Sequence, residues 1–141
     1  KPVCLMGFCK AERDGEAIEN VLRNMLYSEQ AEVYQYCGEI DEMLHRINAC
    51  KYLIAARFHA MVIGFALRKK VLPVIYSPKQ TNVLKDLDYS GDCWDLSQEE
   101  MLTPEQAVQS LCNAPILPGI EALAERGQEH FSQLDAVVND K

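Results

Sequence analysis

The sequence predicts an α/β protein, a mainly parallel sheet of about five strands with helices on both faces, in three layers. Three observations carry this reading. Short apolar segments alternate along the chain with longer ones whose apolar residues recur at helical spacing. The first strand segment, Val3–Phe8, is a short apolar run of the kind buried in a sheet. The 141 residues, 48% hydrophobic and 25% charged, suit one domain over 1–141 whose core needs neither disulfide nor metal.

The elements follow in order. After the Val3–Phe8 strand, Asp14-Gly15-Glu16 opens a helix carrying Ala17, Ile18, Val21, Leu22, Met25 and Leu26 at helical spacing. Glu32–Tyr36 is β-rich and Gly38 breaks it; Glu39–Ala49 repeats Ile40, Met43, Leu44 and Ile47 and is helical. Tyr52–Ala56 is a strand, and Phe58–Lys70 follows as a helix apolar on nearly every side. In it, Ala60 and Gly64 allow close approach to a neighbouring backbone, while Arg68, Lys69 and Lys70 suit its negative end. Leu72–Tyr76 is the next strand, with Pro73 expected among its first residues. Thr81–Leu87 is a short helix and Cys93–Leu96 a last short strand. Thr103-Pro104-Glu105 starts a helix running to about Cys112, with Thr as cap and Pro at the first helical position. After a connector with Pro115 and Pro118, residues 118–141 form a C-terminal helix.

Charge and cysteine usage narrow the function. The net charge of −7 disfavours nucleic acid as a partner. From His45 to Lys85, however, there are eight Lys or Arg and no Asp or Glu, the signature of a local site for a small anion. About half of those cations are expected to solvate helix ends instead. Cysteines 4, 9, 37, 50, 93 and 112 show neither C-x-x-C nor zinc spacing, so buried free thiols in a reducing cytoplasm are expected, with Cys9 and Cys37 partly exposed at strand ends, and no metal site. No apolar run approaches a membrane span. Lys1 is not an initiator methionine, which fits a piece of a longer protein.

In open α/β sheets ligands bind at the carboxyl ends of strands. That rule directs attention to loops 8–14, 37–39, 56–59, 76–80 and 88–92. The sharpest local feature is Arg57-Phe58-His59-Ala60, at the junction of a strand and an apolar helix. Arg57 offers a donor fork for carboxylate or phosphate, His59 can donate to an anion or move a proton near neutral pH, and helix N-terminal amides point the same way. The bland alternative pairs Arg57 with an internal acid and His59 with a loop carbonyl. Tyr76-Ser77-Pro78-Lys79 ends the following strand: Lys79 would project beside the Arg57–His59 loop and Ser77 would add a hydroxyl. Gly7-Phe8-Cys9-Lys10 is a weak phosphate-loop signal, and the acidic run from Asp88 to Asp95 is a candidate rim for sugar hydroxyls.

Leu53-Ile-Ala-Ala-Arg-Phe-His-Ala-Met-Val-Ile-Gly-Phe-Ala-Leu followed by Pro73-Val-Ile-Tyr-Ser-Pro-Lys79 resembles the polysaccharide pyruvyl transferase family over roughly residues 45–100. Members carry an S-x-R-x-H-A strand–helix junction, and Ala55 departs from its first position. The resemblance implies a Rossmann-like domain forming the C-terminal half of a GT-B-like enzyme, with an absent N-terminal domain as partner. It implies transfer of a pyruvyl group from phosphoenolpyruvate to a sugar or lipid-linked saccharide acceptor, giving a pyruvate ketal in cell-surface polysaccharide. It also implies a cytoplasmic location, free or peripheral to the inner face of the membrane, with no cofactor. Carried over by position, Arg57 and His59 are the catalytic pair, and Arg57, Phe58, His59, Ser77 and Lys79 bind substrate. Two alternatives stay open at this point: a nucleotide-sugar-binding domain of a GT-B glycosyltransferase, and a non-catalytic anion-binding or assembly domain.

Overall fold

The computed structural model describes residues 2–98 and 102–118. The expected helix over 118–141 falls, beyond its first residue, outside the described residues. The chain divides into two compact units, Lys1–His45 and Arg46–Lys141. It is an α/β protein: among the described residues the strands pair in parallel, in one sheet of two strands and one of three, compatible with a Rossmann-like sandwich.

In the first unit, β1 (Val3–Gly7) and β2 (Ala31–Gln35) pair in register from Val3↔Ala31 to Gly7↔Gln35. The crossover between them contains α1 (Asp14–Asn24) and a single 3-10 turn, Ser28–Gln30. Asp14, at the first turn of α1, is buried, and its carboxylate accepts the Phe8 and Cys9 amides at 2.7 and 2.9 Å. Those amides are therefore committed to an internal anion, which removes the weak phosphate-loop signal at residues 7–10. Helix α2 (Ile40–Ala49) runs across the division between the units.

The second unit holds β3 (Tyr52–Ala55), α3 (Phe58–Ala66), β4 (Lys70–Ile75), α4 (Pro78–Asp86), β5 (Trp94–Asp95) and α5 (Pro104–Asn113), with sheet order β3-β4-β5. β4 is buried from Val71 to Ile75, on both faces, as a central parallel strand should be. Ile47, Met61, Val71 and Leu72 are fully buried and mark the core. Gly64 lets α3 lie on the sheet: a Cβ there would stand 2.5 Å from Leu53 Cδ2 and 3.0 Å from Val71 Cγ2.

Several boundaries differ from the sequence expectation, each for a physical reason. α3 ends at Ala66, and Arg68 turns into the left-handed region (φ 55°) so that the chain can reverse into β4 at Lys70. Lys69 and Lys70 then serve other helices: Lys69 Nζ donates to the Asn48 carbonyl near the end of α2, and Lys70 Nζ to the Cys112 carbonyl near the end of α5. Pro73 sits within β4, not at its start. Its missing N–H faces the β5 side, where Ile75 two residues later receives the Leu96 amide, but β5 pairing begins only at Val74. α4 starts at Pro78 rather than Thr81, because Ser77-Pro78 acts as cap and first helical residue. Loop 88–92 precedes β5 and so lies at the amino edge of the sheet; Tyr89 donates its hydroxyl to the Val71 carbonyl at 2.6 Å. The six cysteines are free thiols: Cys9 is half-buried and Cys37 exposed, as expected of them, whereas Cys4, Cys50 and Cys93 are half-buried and Cys112 exposed rather than buried.

Candidate functional site

The carboxyl edge of the three-stranded sheet brings two of the expected loops together. β3 ends at Ala55 and hands over through Ala56 to Arg57, the extended N-cap of α3 (φ −78°, ψ 133°). Its neighbour β4 ends at Ile75 and hands over to Ser77, the extended N-cap of α4. The strands are adjacent and parallel, so both helices begin on the same edge. Neither cap side chain bonds the amides of the turn it opens.

Arg57 and Phe58 are half-buried, whereas His59 and Lys79 are exposed. The Phe58 and His59 rings meet edge to face with centroids 5.5 Å apart. Lys79, in the first turn of α4, holds its ammonium 4.0 Å from the centre of the Phe58 ring. Lys79 and His59, 20 residues apart in sequence, thus both touch one aromatic ring, Phe58, the residue between Arg57 and His59. Ser77 is half-buried, and its Oγ donates to Gln80 Oε1 at 3.4 Å. It is turned into the scaffold of the site.

The acidic stretch expected at the rim is not one surface. Asp92 accepts the Ser110 hydroxyl at 2.7 Å, beside a hollow of about 390 Å³ against α5. Only Asp95 ends a strand at the carboxyl edge. Its Oδ1 accepts the hydroxyl and amide of Ser97 at 2.7 and 2.9 Å, which holds its carboxyl below the ordinary range. Burial, then the charges of Asp92 and Asp95, push the Cys93 thiol up to about 11, so it stays protonated at neutral pH and is a poor nucleophile. No group of three or more His, Cys, Asp or Glu that could hold a metal occurs among the described residues.

With this edge defined, comparison with known proteins decides the family. A family model described as polysaccharide pyruvyl transferase matches residues 2–78, more than half of the 141-residue chain. The chain belongs to the polysaccharide pyruvyl transferase family. No curated protein and no solved structure matches it. The polysaccharide pyruvyl transferase match includes the first unit, beyond the stretch in which the sequence resemblance is clearest, and contains Arg57, Phe58, His59 and Ser77. It stops at Pro78, one residue short of Lys79.

One residue of the site is missing from the sequence expectation. Gln80 is fully buried. Its Nε2 donates to the carbonyls of Ala56 and Val74, both at 2.9 Å, and its Oε1 accepts the Tyr76 amide at 3.1 Å as well as the Ser77 hydroxyl. The available signal is Ser77-x-x-Gln80, a spacing that normally announces a capping box.

Proposed function

We propose that this chain supplies the phosphoenolpyruvate-binding half of a transferase that forms pyruvate ketals on saccharides. The observation that carries the reading is the Lys79 ammonium over the Phe58 ring, which brings the start of α4 against the start of α3, where Arg57 and His59 stand. Phosphoenolpyruvate carries a carboxylate and a phosphate on one small frame. A guanidinium fork, an ammonium and helix N-terminal amides match that charge distribution. The stretch of sequence from His45 to Lys85, which supplies these residues, contains no Asp or Glu.

In the proposed reaction Arg57 holds the carboxylate or phosphate and Lys79 the phosphate, with Phe58 between them. His59 in its protonated form delivers a proton to the methylene carbon, leaving a cationic centre at the adjacent carbon. A sugar hydroxyl bonds to that centre and returns its proton to His59. Phosphate departs with its bridging oxygen and takes up the proton of a second hydroxyl, which closes the ketal. Each hydroxyl loses one proton, the methylene becomes a methyl group, and nothing is oxidised or reduced. The acceptor is a sugar or lipid-linked saccharide on the cytoplasmic side, held against a second, N-terminal domain of a GT-B-like pair. Among the described residues no helix is long and apolar enough to cross a membrane, which fits attachment at the membrane face rather than through it.

The test uses the full-length protein, with phosphoenolpyruvate binding followed by calorimetry and ketal formation by product mass. His59→Gln is expected to lower turnover by about 100-fold or more, the scale of general acid catalysis, with a smaller change in phosphoenolpyruvate affinity. Wild-type turnover in His59→Gln overturns the acid role. Tight binding of nucleoside diphosphates with none of phosphoenolpyruvate overturns the whole reading.

A further inference from the structure

The segments Ser77-Pro78-Lys79-Gln80 and Thr103-Pro104-Glu105-Gln106 share one pattern: hydroxyl residue, proline, charged residue, glutamine. At α5 the pattern closes on itself. Thr103 Oγ1 accepts the Gln106 amide at 3.2 Å and Gln106 Oε1 accepts the Thr103 amide at 2.8 Å, a complete capping box on an exposed helix start. At α4 the same residues do something else. Ser77 makes no capping bond to its own helix, and the Gln80 side chain turns inward to full burial.

There the amide reaches across the sheet edge. Ala55↔Pro73 is the last paired position of β3 and β4, and beyond it the two strands part toward their helices. Gln80 Nε2 bonds the carbonyls on the two sides of that fork, Ala56 on the β3 side and Val74 on the β4 side. Its Oε1 holds Tyr76 and Ser77, the residues leading to Lys79. One buried amide therefore uses both of its donors and both acceptor positions to join the loop that ends in Arg57 to the loop that ends in Lys79.

We infer that Gln80 is a positioning residue for anion binding: it fixes the spacing between the Arg57–His59 loop and Lys79. The inference rests on the proposed phosphoenolpyruvate reading for the identity of the anion. Two rigid loops present their cations at one separation, and a bivalent anion such as phosphoenolpyruvate is recognised by that separation as much as by charge.

The chemistry of the side chain offers a clean separation of roles. Gln80→Glu keeps an oxygen that accepts from Tyr76 and Ser77, so the local turn is retained. It places a second acceptor against the Ala56 and Val74 carbonyls, so the link across the fork is lost. In full-length protein, Gln80→Glu is expected to raise hydrogen exchange in residues 56–61, read at Met61, whose amide donates to the Arg57 carbonyl at 3.0 Å, while residues 76–80 stay protected. Phosphoenolpyruvate binding is expected to weaken about tenfold. Gln80→Met, which keeps the length but neither kind of bond, is the second variant should the carboxylate prevent folding. It is expected to raise exchange in both segments together. Unchanged exchange at Met61 in the folded variants overturns the inference, as does unchanged phosphoenolpyruvate affinity when the wild type binds it. If the wild type does not bind phosphoenolpyruvate, the proposed function falls, and the exchange at Met61 still decides whether Gln80 joins the loops.

Discussion

The two edges of the β3-β4-β5 sheet are both rich in cations, yet they are built to opposite electrostatic rules. At the amino edge the positive groups meet helix carboxyl ends. Lys69 and Lys70 donate to carbonyls at Asn48 and Cys112, and Lys51 rests 5.2 Å from the Tyr52 ring centre. The hollow of about 300 Å³ between them is lined by these lysines, Arg68 and Ile116. Cations there oppose the negative end of the helix dipole and are already satisfied. At the carboxyl edge Arg57, His59 and Lys79 stand at helix amino ends, where the dipole is positive as well. A cation against that positive end costs a few tenths to about 1 kcal/mol, which the Phe58 ring offsets for Lys79 and a bound anion would offset further. The comparison teaches that the count of eight basic residues between His45 and Lys85 does not locate a site. The end of the helix at which each one stands does.

The largest effect that would break this comparison comes from Arg57. Arg57→Ala in the full-length protein is expected to weaken phosphoenolpyruvate binding by about 10- to 100-fold, the worth of hydrogen bonds to a charged group. Calorimetry of Lys70→Met alongside it should show wild-type affinity. Equal losses for both variants would mean that the edges do not differ in function.

Next is Gly64→Ala, which presses on α3, the helix whose first turn carries His59. Leu53 can turn its end away, but Val71 is β-branched and fully buried. Overpacking of this kind costs about 1–3 kcal/mol. Better helix propensity returns about 1 kcal/mol of that. Urea unfolding should therefore show a net loss, together with weaker phosphoenolpyruvate binding as α3 lifts from the sheet. Unaltered stability would mean that α3 does not need this close approach.

A smaller effect is expected of Lys70→Met on stability. It leaves the Cys112 carbonyl near the end of α5 without its cation, a loss of about 0.3–1 kcal/mol by helix-end electrostatics. Added salt should shrink the difference between variant and wild type. A loss that does not respond to salt would point to packing of the lysine stem instead.

These contrasts also show what is legible in the sequence. β3 and β4 are visible because a parallel strand covered on both faces is apolar, β2 shows only as a β-rich stretch ended by Gly38, and Thr103-Pro104 marks α5 because cap and proline are local chemistry. Arg57, His59 and Lys79 are legible as a set because strand ends in such sheets are where ligands bind. The end of α3 is not legible: its apolar run continues through Leu67, and no glycine marks the stop. Loop 88–92 is misplaced by an expectation that treats every loop of the alternation as a carboxyl-edge loop, whereas a loop that follows a helix returns to the amino edge. Gln80 is hidden because its partners include a backbone carbonyl 24 residues away, and carbonyls carry no sequence signature.

Arg68 gives the finest test of the two-edge distinction. Its φ of 55° is the left-handed conformation at which helices commonly place glycine, and the Arg68 and Lys69 amides close α3 onto the Phe65 and Gly64 carbonyls, each at 2.9 Å. A side chain in that conformation carries a cost of about 1–2 kcal/mol. Arg68→Gly relieves it, while the looser unfolded chain takes back up to about 1 kcal/mol. The expected net is a stabilisation of a few tenths to about 1 kcal/mol in urea unfolding, with phosphoenolpyruvate affinity unchanged. Because Arg68 lines the amino-edge hollow, a fall in affinity here would assign anion binding to that edge, and the electrostatic asymmetry of the sheet would lose its functional meaning.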